Sequence, residues 1–397
     1  MTGGLVVIET HPVQYRVPVY RTVQQKFGIP VTVVYGSDFS LYAYRDREFG
    51  TSLAWDVDLT GGLACEFLSR TKGDGTVEPE RLSARGVGPI LDRLRPAAVL
   101  VTGYSPAFHR QGWRAARRRS HPVLFRGETT DRHQTRHPVV SAARDAALRL
   151  AYRSCARILY IGERSRQHYL RLGIDRSRLV FSPYCVDTTP FRTTEDDRRE
   201  LRLATRRGLG IADDRIVLLF SGKLSRRKGV DLIVPAVRRL PTALRERIVV
   251  ICAGDGQERA AMLSAAAGEP RVPLHVLGVQ RQRDLSGAYH AADLLVLPSR
   301  QAETWGLVVN EALHHGVPCL VSDQVGCAPD LIDARTGVVC RADSEEALAG
   351  GMVRALELAG RDEVRNWCRA KVAPYGVEAA ARGIATAFEA VTTGVEA

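Results

Sequence analysis

The sequence predicts an α/β protein that contains two parallel β-sheets, each covered by helices. Short, fully apolar runs alternate with longer stretches of helical spacing along most of the 397 residues. Parallel strands covered on both faces are continuous apolar runs, and the alternation with helices indicates such sheets. A polar stretch at 188–214 separates two halves of similar size, each long enough to bury its own core.

The strands and helices follow from these runs in order. The predicted strands are Leu5–Ile8, Val31–Tyr35, Ala98–Thr102, Val123–Arg126, Ile158–Ile161, Ile216–Ser221, Ile248–Ala253, Leu274–Leu277, Leu294–Pro298 and Pro318–Ser322. Helical spacing is clearest in Val230–Leu240, Gly306–His315 and the alanine-rich Glu378–Val391. We therefore predict an N-terminal domain at 1–190, a C-terminal domain at 191–370, and a final helix at 371–397 that packs back on the N-terminal domain.

Composition and charge limit the function classes. The chain is 45% hydrophobic and 25% charged, and has no apolar run long enough for a membrane span, which argues against disorder and a multi-span protein. Its net charge of +12 favours anionic partners, but the charge is spread along the chain without a nucleic-acid-binding motif. The eight cysteines lack zinc spacing, and no secretory signal is recognised, so a reduced, cytoplasmic protein is expected.

The segment Ser221–Gly229, SGKLSRRKG, follows one predicted strand and precedes a helix. Gly222 would let a ligand approach the backbone, and Lys223 and Lys228 would neutralise phosphate. Two of the chain's five lysines lie here, although arginine is its usual basic residue. A solvated basic turn is the alternative. Gly254, in a Gly-Asp-Gly turn after the next strand, is a weaker signal.

The second motif, Pro298–Ala312, combines a strand end, a loop and a helix start. Glu303 lies in the loop, and the amides of a helix beginning near Gly306 could bind a diphosphate. Glu311 falls in the second turn, where a carboxylate can accept hydrogen bonds from two sugar hydroxyls. The alternative for Glu311 is an exposed helix glutamate.

Residues 216–335 resemble the C-terminal domain of retaining GT-B glycosyltransferases of family 4, also called group 1. The resemblance rests on five ordered segments: Phe220–Leu224 with Lys228–Asp231, Ala253–Gly256, His290–Ser299, Glu303 to Glu311 as E-x7-E, and Gly316–Ser322. In the N-terminal half, the opening His11-Pro12-Val13-Gln14-Tyr15 is similar to a subgroup with an HPxQY motif. The resemblance implies two Rossmann-like domains that face each other across a cleft, with the acceptor bound mainly by the N-terminal one.

The resemblance also implies roles for individual residues. Lys223 and Lys228 would bind the donor diphosphate, Glu311 the ribose hydroxyls, and Glu303 would face the donor sugar. The remaining donor-site residues would be Gly222 and Gly254, Val279 near the base, and the segment Trp305, Gly306, Leu307 and Val308 around the helix start. No metal and no cofactor are expected, because cations and helix starts would stabilise the leaving phosphate.

The N-terminal half departs from the usual family pattern, so its candidates are His11, Arg126 and Glu128. A loop histidine and a structural Arg126–Glu128 ion pair are the alternatives. Asp56 and Asp58 form a DxD without the context of a metal site. The basic stretch Arg110–Arg119 favours a solvated helix, with contact to an anionic membrane as the alternative.

These observations predict a retaining, hexosyltransferase-type enzyme that moves a sugar from a nucleotide-sugar donor, with UDP favoured, to an acceptor hydroxyl. The acceptor would be a small molecule, a lipid-linked molecule or a saccharide, and no nucleic acid would bind. The composition fits a bacterial protein in the cytoplasm, with the inner membrane face as a further location. The alternatives are a GT-B sugar-nucleotide epimerase and a non-catalytic protein that binds a nucleotide or an anionic surface.

Overall fold

A computed structural model describes residues 3–42, 44–45, 52–53, 57–70, 82–131 and 137–393. The chain forms two compact units. The first unit ends at Asp187 and resumes at Tyr375, and the second spans Thr188–Pro374.

The first unit contains a seven-stranded parallel sheet, in the order β5-β2-β1-β6-β7-β8-β9. Strands β3 and β4 form a separate antiparallel pair, which precedes β5 in the chain. The strands are β1 (Leu5–Glu9), β2 (Val31–Tyr35), β3 (Tyr44–Arg45), β4 (Ser52–Leu53), β5 (Ala64–Phe67), β6 (Ala98–Val101), β7 (Val123–Arg126), β8 (Arg157–Tyr160) and β9 (Leu179–Phe181).

Helices cover the sheet of the first unit and bury two apolar clusters against it. The helices are α1 (Val17–Phe27), α2 (Val87–Leu94), α3 (Ala107–Arg118), α4 (Pro138–Arg153), α5 (Glu163–Arg171) and, after the second unit, α15 (Val377–Thr392). Helix α15 packs against α1, β8 and β9, and Ile384 and Phe388 lie in the core with Val7 and Val33.

The second unit contains a six-stranded parallel sheet, in the order β12-β11-β10-β13-β14-β15. Its strands are β10 (Ile216–Ser221), β11 (Ile248–Ala253), β12 (Leu274–Gly278), β13 (Leu294–Leu297), β14 (Cys319–Ser322) and β15 (Gly337–Cys340). Its helices are α6 (Glu195–Gly208), α7 (Ile233–Arg238), α8 (Thr242–Arg245), α9 (Arg259–Ala267), α10 (Leu285–Ala291), α11 (Leu307–His314), α12 (Ala328–Leu331), α13 (Glu345–Leu356) and α14 (Asp362–Val372).

The predicted α/β class with two parallel sheets is confirmed, and all ten predicted strands are present with ends that differ by at most one residue. The sequence missed the short pair β3–β4, and it also missed β5, β9 and β15, which lie at sheet edges and are not fully buried. The polar stretch at 188–214 begins at the division between the two units, and α6 occupies much of it. The helix predicted at Val230–Leu240 is a 3-10 turn at Val230–Leu232 followed by α7, which contains Pro235.

Candidate active site

Three loops meet at the carboxyl edge of the second unit's sheet, the edge at which parallel α/β sheets bind ligands. The loop after β10 begins with Gly222, whose φ of 131° favours glycine. The loop after β11 begins with Gly254, at φ 155°. A Cβ on Gly254 would collide with the carbonyl of Gly222, so this close approach depends on glycine. The third loop, 298–306, connects β13 to α11.

Lys228 and Glu303 form an ion pair that joins the first loop to the third. Their side chains are 16% and 10% exposed, so both are largely withdrawn from water. Ser299 donates its hydroxyl to the same oxygen of Glu303 at 2.9 Å. The loops approach at Gly229, where a Cβ would collide with the carbonyl of Pro298. An ammonium group and a carboxylate are thus held side by side at the sheet edge.

Helix α11 begins beside this ion pair. Gly306 precedes its first residue with φ 99°, a conformation that favours glycine. Leu307 and Val308 lie in the first turn, where backbone N–H groups lack carbonyl partners within the helix and attract anions. The indole of Trp305 is buried and donates to Asn310 at 2.8 Å, so this ring fixes the loop onto the helix.

Glu311, on the second turn of α11, is linked to the end of β10 through a buried tyrosine. The Tyr289 hydroxyl donates to Glu311 Oε2 at 2.5 Å and also hydrogen-bonds the side chain of Ser221. His315 stacks on the Tyr289 ring at 4.9 Å. Burial raises the pKa of Glu311 to about 7, and the hydrogen bond from Tyr289 limits that rise. The alternative of an exposed helix glutamate is therefore wrong.

The other predicted donor residues lie at the same sheet edge. Lys223 directly follows Gly222 in the first loop. Val279 is 42% exposed and follows Gly278, which forms an isolated bridge with Gly254. Together, the loops and the start of α11 place Gly222, Lys223, Lys228, Gly254, Val279, Glu303, Trp305, Gly306, Leu307, Val308 and Glu311 around one edge of the sheet.

In the first unit, His11 lies just beyond β1. Its Nδ1 is 2.9 Å from the Thr10 hydroxyl, and its ring lies 4.4 Å from that of Phe39. Burial lowers the pKa of His11 to about 4, so the imidazole is neutral at pH 7. A neutral imidazole can donate a hydrogen bond to a hydroxyl group or accept one from it. It brings no positive charge to the end of β1.

Glu128 belongs to a polar network that the sequence did not reveal. Arg16 bridges two carboxylates: it binds Glu128 through Nη2 and Glu9 through Nη1, the latter at 2.7 Å. Glu9 is 1% exposed and also accepts hydrogen bonds from Tyr20 and, at 2.9 Å, from Thr102. Glu128 is 31% exposed, so its carboxylate is the accessible end of the network. An acid ending the apolar strand Leu5–Glu9 was the available signal, because a buried charge needs partners.

Arg126, at the end of β7, binds backbone carbonyl groups. It is 7% exposed and donates to the carbonyls of Ser182 at 3.2 Å and Pro183 at 2.7 Å. Its guanidinium also lies over the ring of Tyr184. The expected alternative of an Arg126–Glu128 ion pair is wrong, because Glu128 pairs with Arg16 instead.

Only one residue of the DxD pair, Asp58, lies within the described residues. Asp56 lies outside the described residues, whereas Asp58 closes a turn by accepting hydrogen bonds from the amides of Thr60 at 2.9 Å and Gly61 at 2.8 Å. Within the described ranges, no group of three or more His, Cys, Asp or Glu side chains is arranged to hold a metal ion. In the same part of the chain, no helix is long and apolar enough to cross a membrane.

Parts of this chain are similar to curated glycosyltransferases, of which two serve as examples. One is the D-inositol 3-phosphate glycosyltransferase of Nocardia farcinica, 34% identical over 186 residues, or 45% of this chain and 40% of that protein. Another is the lipopolysaccharide 1,2-N-acetylglucosaminetransferase of Salmonella typhimurium, 30% identical over 195 residues, or 47% of this chain and 49% of that protein. The chain thus matches less than half the length of each relative.

A solved structure matches over nearly the whole chain. HepE of Anabaena, crystallised in complex with UDP, superposes with a TM-score of 0.70 at 15% identity and covers 98% of this chain and 100% of that one. At this identity the likeness establishes the fold, so the expected GT-B fold is confirmed. The family model described as "Glycosyl transferases group 1" matches residues 202–371. This matched segment contains all of the candidate site residues of the second unit, from Gly222 to Glu311.

Proposed function

We propose that the protein is a retaining glycosyltransferase that moves a sugar from a nucleotide-sugar donor, with UDP favoured, to an acceptor hydroxyl. The observation that carries this proposal is the arrangement at the sheet edge of the group 1 domain. There, the Lys228–Glu303 pair lies beside the start of α11, and Glu311 lies one helical turn further along. The ammonium group of Lys228 suits a diphosphate, and the carboxylates of Glu303 and Glu311 suit a sugar and a ribose, respectively.

The diphosphate would lie between the lysines and the first amides of α11. Lys223 and Lys228 supply positive charge, and the N–H groups of Leu307 and Val308 supply directed donors. Negative charge grows on the leaving phosphate as the bond to the sugar breaks, so these groups stabilise the transition state more than the bound donor. We propose that this arrangement replaces a metal ion and that no cofactor is needed.

Glu303 would face the sugar, where positive charge develops at the anomeric carbon. The bond from that carbon to the phosphate oxygen breaks, and a bond to the acceptor oxygen forms on the same face, which retains the configuration. The acceptor proton passes to the leaving phosphate, so the products are the glycosylated acceptor and the nucleoside diphosphate. Glu311 would accept hydrogen bonds from the ribose hydroxyls.

The first unit would bind the acceptor through His11 and the Arg16-held carboxylate of Glu128. A neutral imidazole and a carboxylate suit hydroxyl groups, so a saccharide, a polyol or a lipid-linked sugar fits this edge. Arg126 would act by shaping the backbone at 182–183. We place the protein in a bacterial cytoplasm, with peripheral contact at the inner membrane face when the acceptor is lipid-linked.

A donor-binding experiment tests the proposal first. Thermal unfolding is measured with UDP-, GDP- and TDP-sugars, because a ligand that binds the native state raises the melting temperature. We expect one nucleotide class to stabilise the protein, and Glu311→Ala to abolish that shift. Glu363→Ala, a change at an exposed glutamate in the same unit, is the matched control and should keep the shift.

Turnover then separates glycosyl transfer from its alternatives. A transferase releases nucleoside diphosphate in step with the consumption of an acceptor, and the product keeps the donor's anomeric configuration. Release of an epimerised donor without acceptor would indicate the epimerase. Nucleotide binding with no turnover against any saccharide, polyol or lipid-linked acceptor would favour the binding protein.

A further inference from the structure

Helix α4 exposes its apolar side. Val139, Val140 and Leu150 are 69%, 55% and 74% exposed, which is unusual for large apolar side chains. Leu148 and Tyr152 alone are buried in this helix. At 100° per residue, the exposed apolar positions fall on one side, and they are Val139, Val140, Ala142, Ala143, Ala146, Ala147 and Leu150. The strip runs from Val139 to Leu150 and is about 18 Å long at 1.5 Å per residue.

Arginines border the strip on both sides. Arg149 is exposed along one border, and Arg153 is exposed just beyond the C-terminal end of the strip. Along the other lies a groove of about 460 Å³ between α3 and α4, whose lining includes Trp113, Leu148 and Ala151. Helix α3 lines this groove with four arginines, and none of them pairs with a carboxylate of the described residues: Arg110, Arg114, Arg117 and Arg118.

Helix α4 carries little negative charge that could oppose these arginines. Its one acidic residue, Asp145, is 24% exposed and pairs with Arg171 and Arg144. Within the described ranges, no carboxylate therefore lines the groove between α3 and α4, whose charged residues are all arginines. We call the exposed apolar residues of α4, together with Arg149, Arg153 and the four α3 arginines, the α3–α4 face.

We propose that the α3–α4 face docks on the surface of an anionic lipid bilayer. Apolar side chains on a surface helix enter the boundary between headgroups and acyl chains, while flanking arginines bind lipid phosphates. A convex helix surface bordered by arginines that pair with no carboxylate among the described residues fits a fluid, negatively charged plane. In a symmetric dimer through the same face, the arginine borders of the two copies would repel each other.

This inference rests on the proposed function only in that a membrane-bound enzyme would meet a lipid-linked acceptor. The surface itself is independent of donor chemistry, because its residues lie on α3 and α4 of the first unit. Vesicle binding can therefore be measured without a donor, and donor binding without vesicles, so that either proposal can fail alone.

The test is co-sedimentation of the full chain with vesicles of phosphatidylcholine alone or mixed with phosphatidylglycerol. We expect binding to the mixed vesicles, weakening as salt is raised, and little binding to phosphatidylcholine. Arg114→Gln combined with Arg118→Gln should lower the partition coefficient about tenfold or more, because each basic residue adds to the attraction. Leu150→Asp should lower it as well, by removing an inserted group and adding repulsion.

Matched controls lie in the second unit. Arg199→Gln and Leu263→Asp alter residues of similar type that are 69% and 42% exposed, and should leave vesicle binding unchanged. Equal binding by wild type and the α3–α4 variants, or no binding to anionic vesicles, would overturn the proposal. A wild-type dimer that Leu150→Asp converts to a monomer would instead assign the face to a second copy. An unchanged melting temperature establishes that each variant is folded.

Discussion

The raised pKa of Glu311 predicts that donor affinity depends on pH through a single carboxyl group. Its pKa of about 7 means that the carboxyl group is about half ionised at neutral pH. Only the ionised form can accept hydrogen bonds from two ribose hydroxyls without giving up an oxygen to its own proton. Affinity for the donor should therefore rise with pH and level off above pH 8.

The magnitude follows from the ionised fraction. About one molecule in ten is ionised at pH 6 and about nine in ten at pH 8, so the dissociation constant should fall about tenfold across this interval. Neighbouring histidines do not contribute, because burial lowers the pKa of His315 to about 3 and of His314 to about 4. Tyr289→Phe removes the hydrogen bond that limits the rise, so the midpoint should move above pH 7.

The assay is calorimetric titration with a UDP-sugar at several pH values. A UDP-sugar is preferable to UDP, because a terminal phosphate itself titrates near pH 6. Glu311→Gln keeps an acceptor for Tyr289 but cannot ionise, so its affinity should be flat between pH 6 and 8. A flat profile for the wild-type protein, or the full slope in Glu311→Gln, would refute the assignment of Glu311 to the ribose.

The same residue should affect stability. Its folded pKa lies above the ordinary value of 4.5, so the charged form is disfavoured in the native state. The cost is absent below pH 4.5 and complete above pH 7, at up to about 3 kcal/mol. Glu311→Gln should therefore stabilise the protein at pH 8 but not at pH 4.5, as measured by urea unfolding.

Three further predictions concern single contacts. Lys228→Ala should lower kcat by about 100-fold or more, because the leaving phosphate loses a cation. Lys371→Ala, at a lysine that is 32% exposed and paired with a carboxylate, should leave kcat unchanged. Equal kcat values for the two variants would remove Lys228 from the mechanism. Glu9→Leu should lower the free energy of unfolding of the first unit by about 3 kcal/mol in urea, because Arg16 loses its buried partner. A decrease of less than about 1 kcal/mol would show that the Arg16 network does not stabilise this unit. Gly254→Ala should abolish the thermal shift caused by the donor, because a Cβ would push the loop away from Gly222; an unchanged shift would contradict the packing of the two loops.

The central strands were predictable because they are buried on both faces. Val31–Tyr35 and Ile216–Ser221 have the predicted bounds, since a continuous apolar run has few other places in an α/β fold. Strands β5, β9 and β15 were not predicted, because they are partly exposed and carry no long, continuous apolar run. Helix α6 escaped because its composition is polar, although its capping is clear: Thr194 caps its first turn and acidic residues follow.

The site was predictable where chemistry is local in sequence. Glycines at strand ends, lysines in the following loop and a helix start can be recognised from neighbouring residues. The pairing of Lys228 with Glu303, and of Glu311 with Tyr289, could not be, because each joins residues 75 or 22 positions apart. The network around Arg16 was missed for the same reason: Glu9 is 7 positions away but Glu128 is 112, and only the packed sheet shows that Arg16 binds both carboxylates.

The position of α15 has a consequence for the order in which the protein is made. The first unit's core includes Ile384 and Phe388, which are translated after the whole second unit. Domains usually fold in the order of their synthesis, but here the second unit can finish before the first. Until α15 emerges from the ribosome, the apolar side of the first sheet that it covers stays open. A nascent chain halted shortly after Pro374 should therefore hold a finished second unit and an unfinished first one.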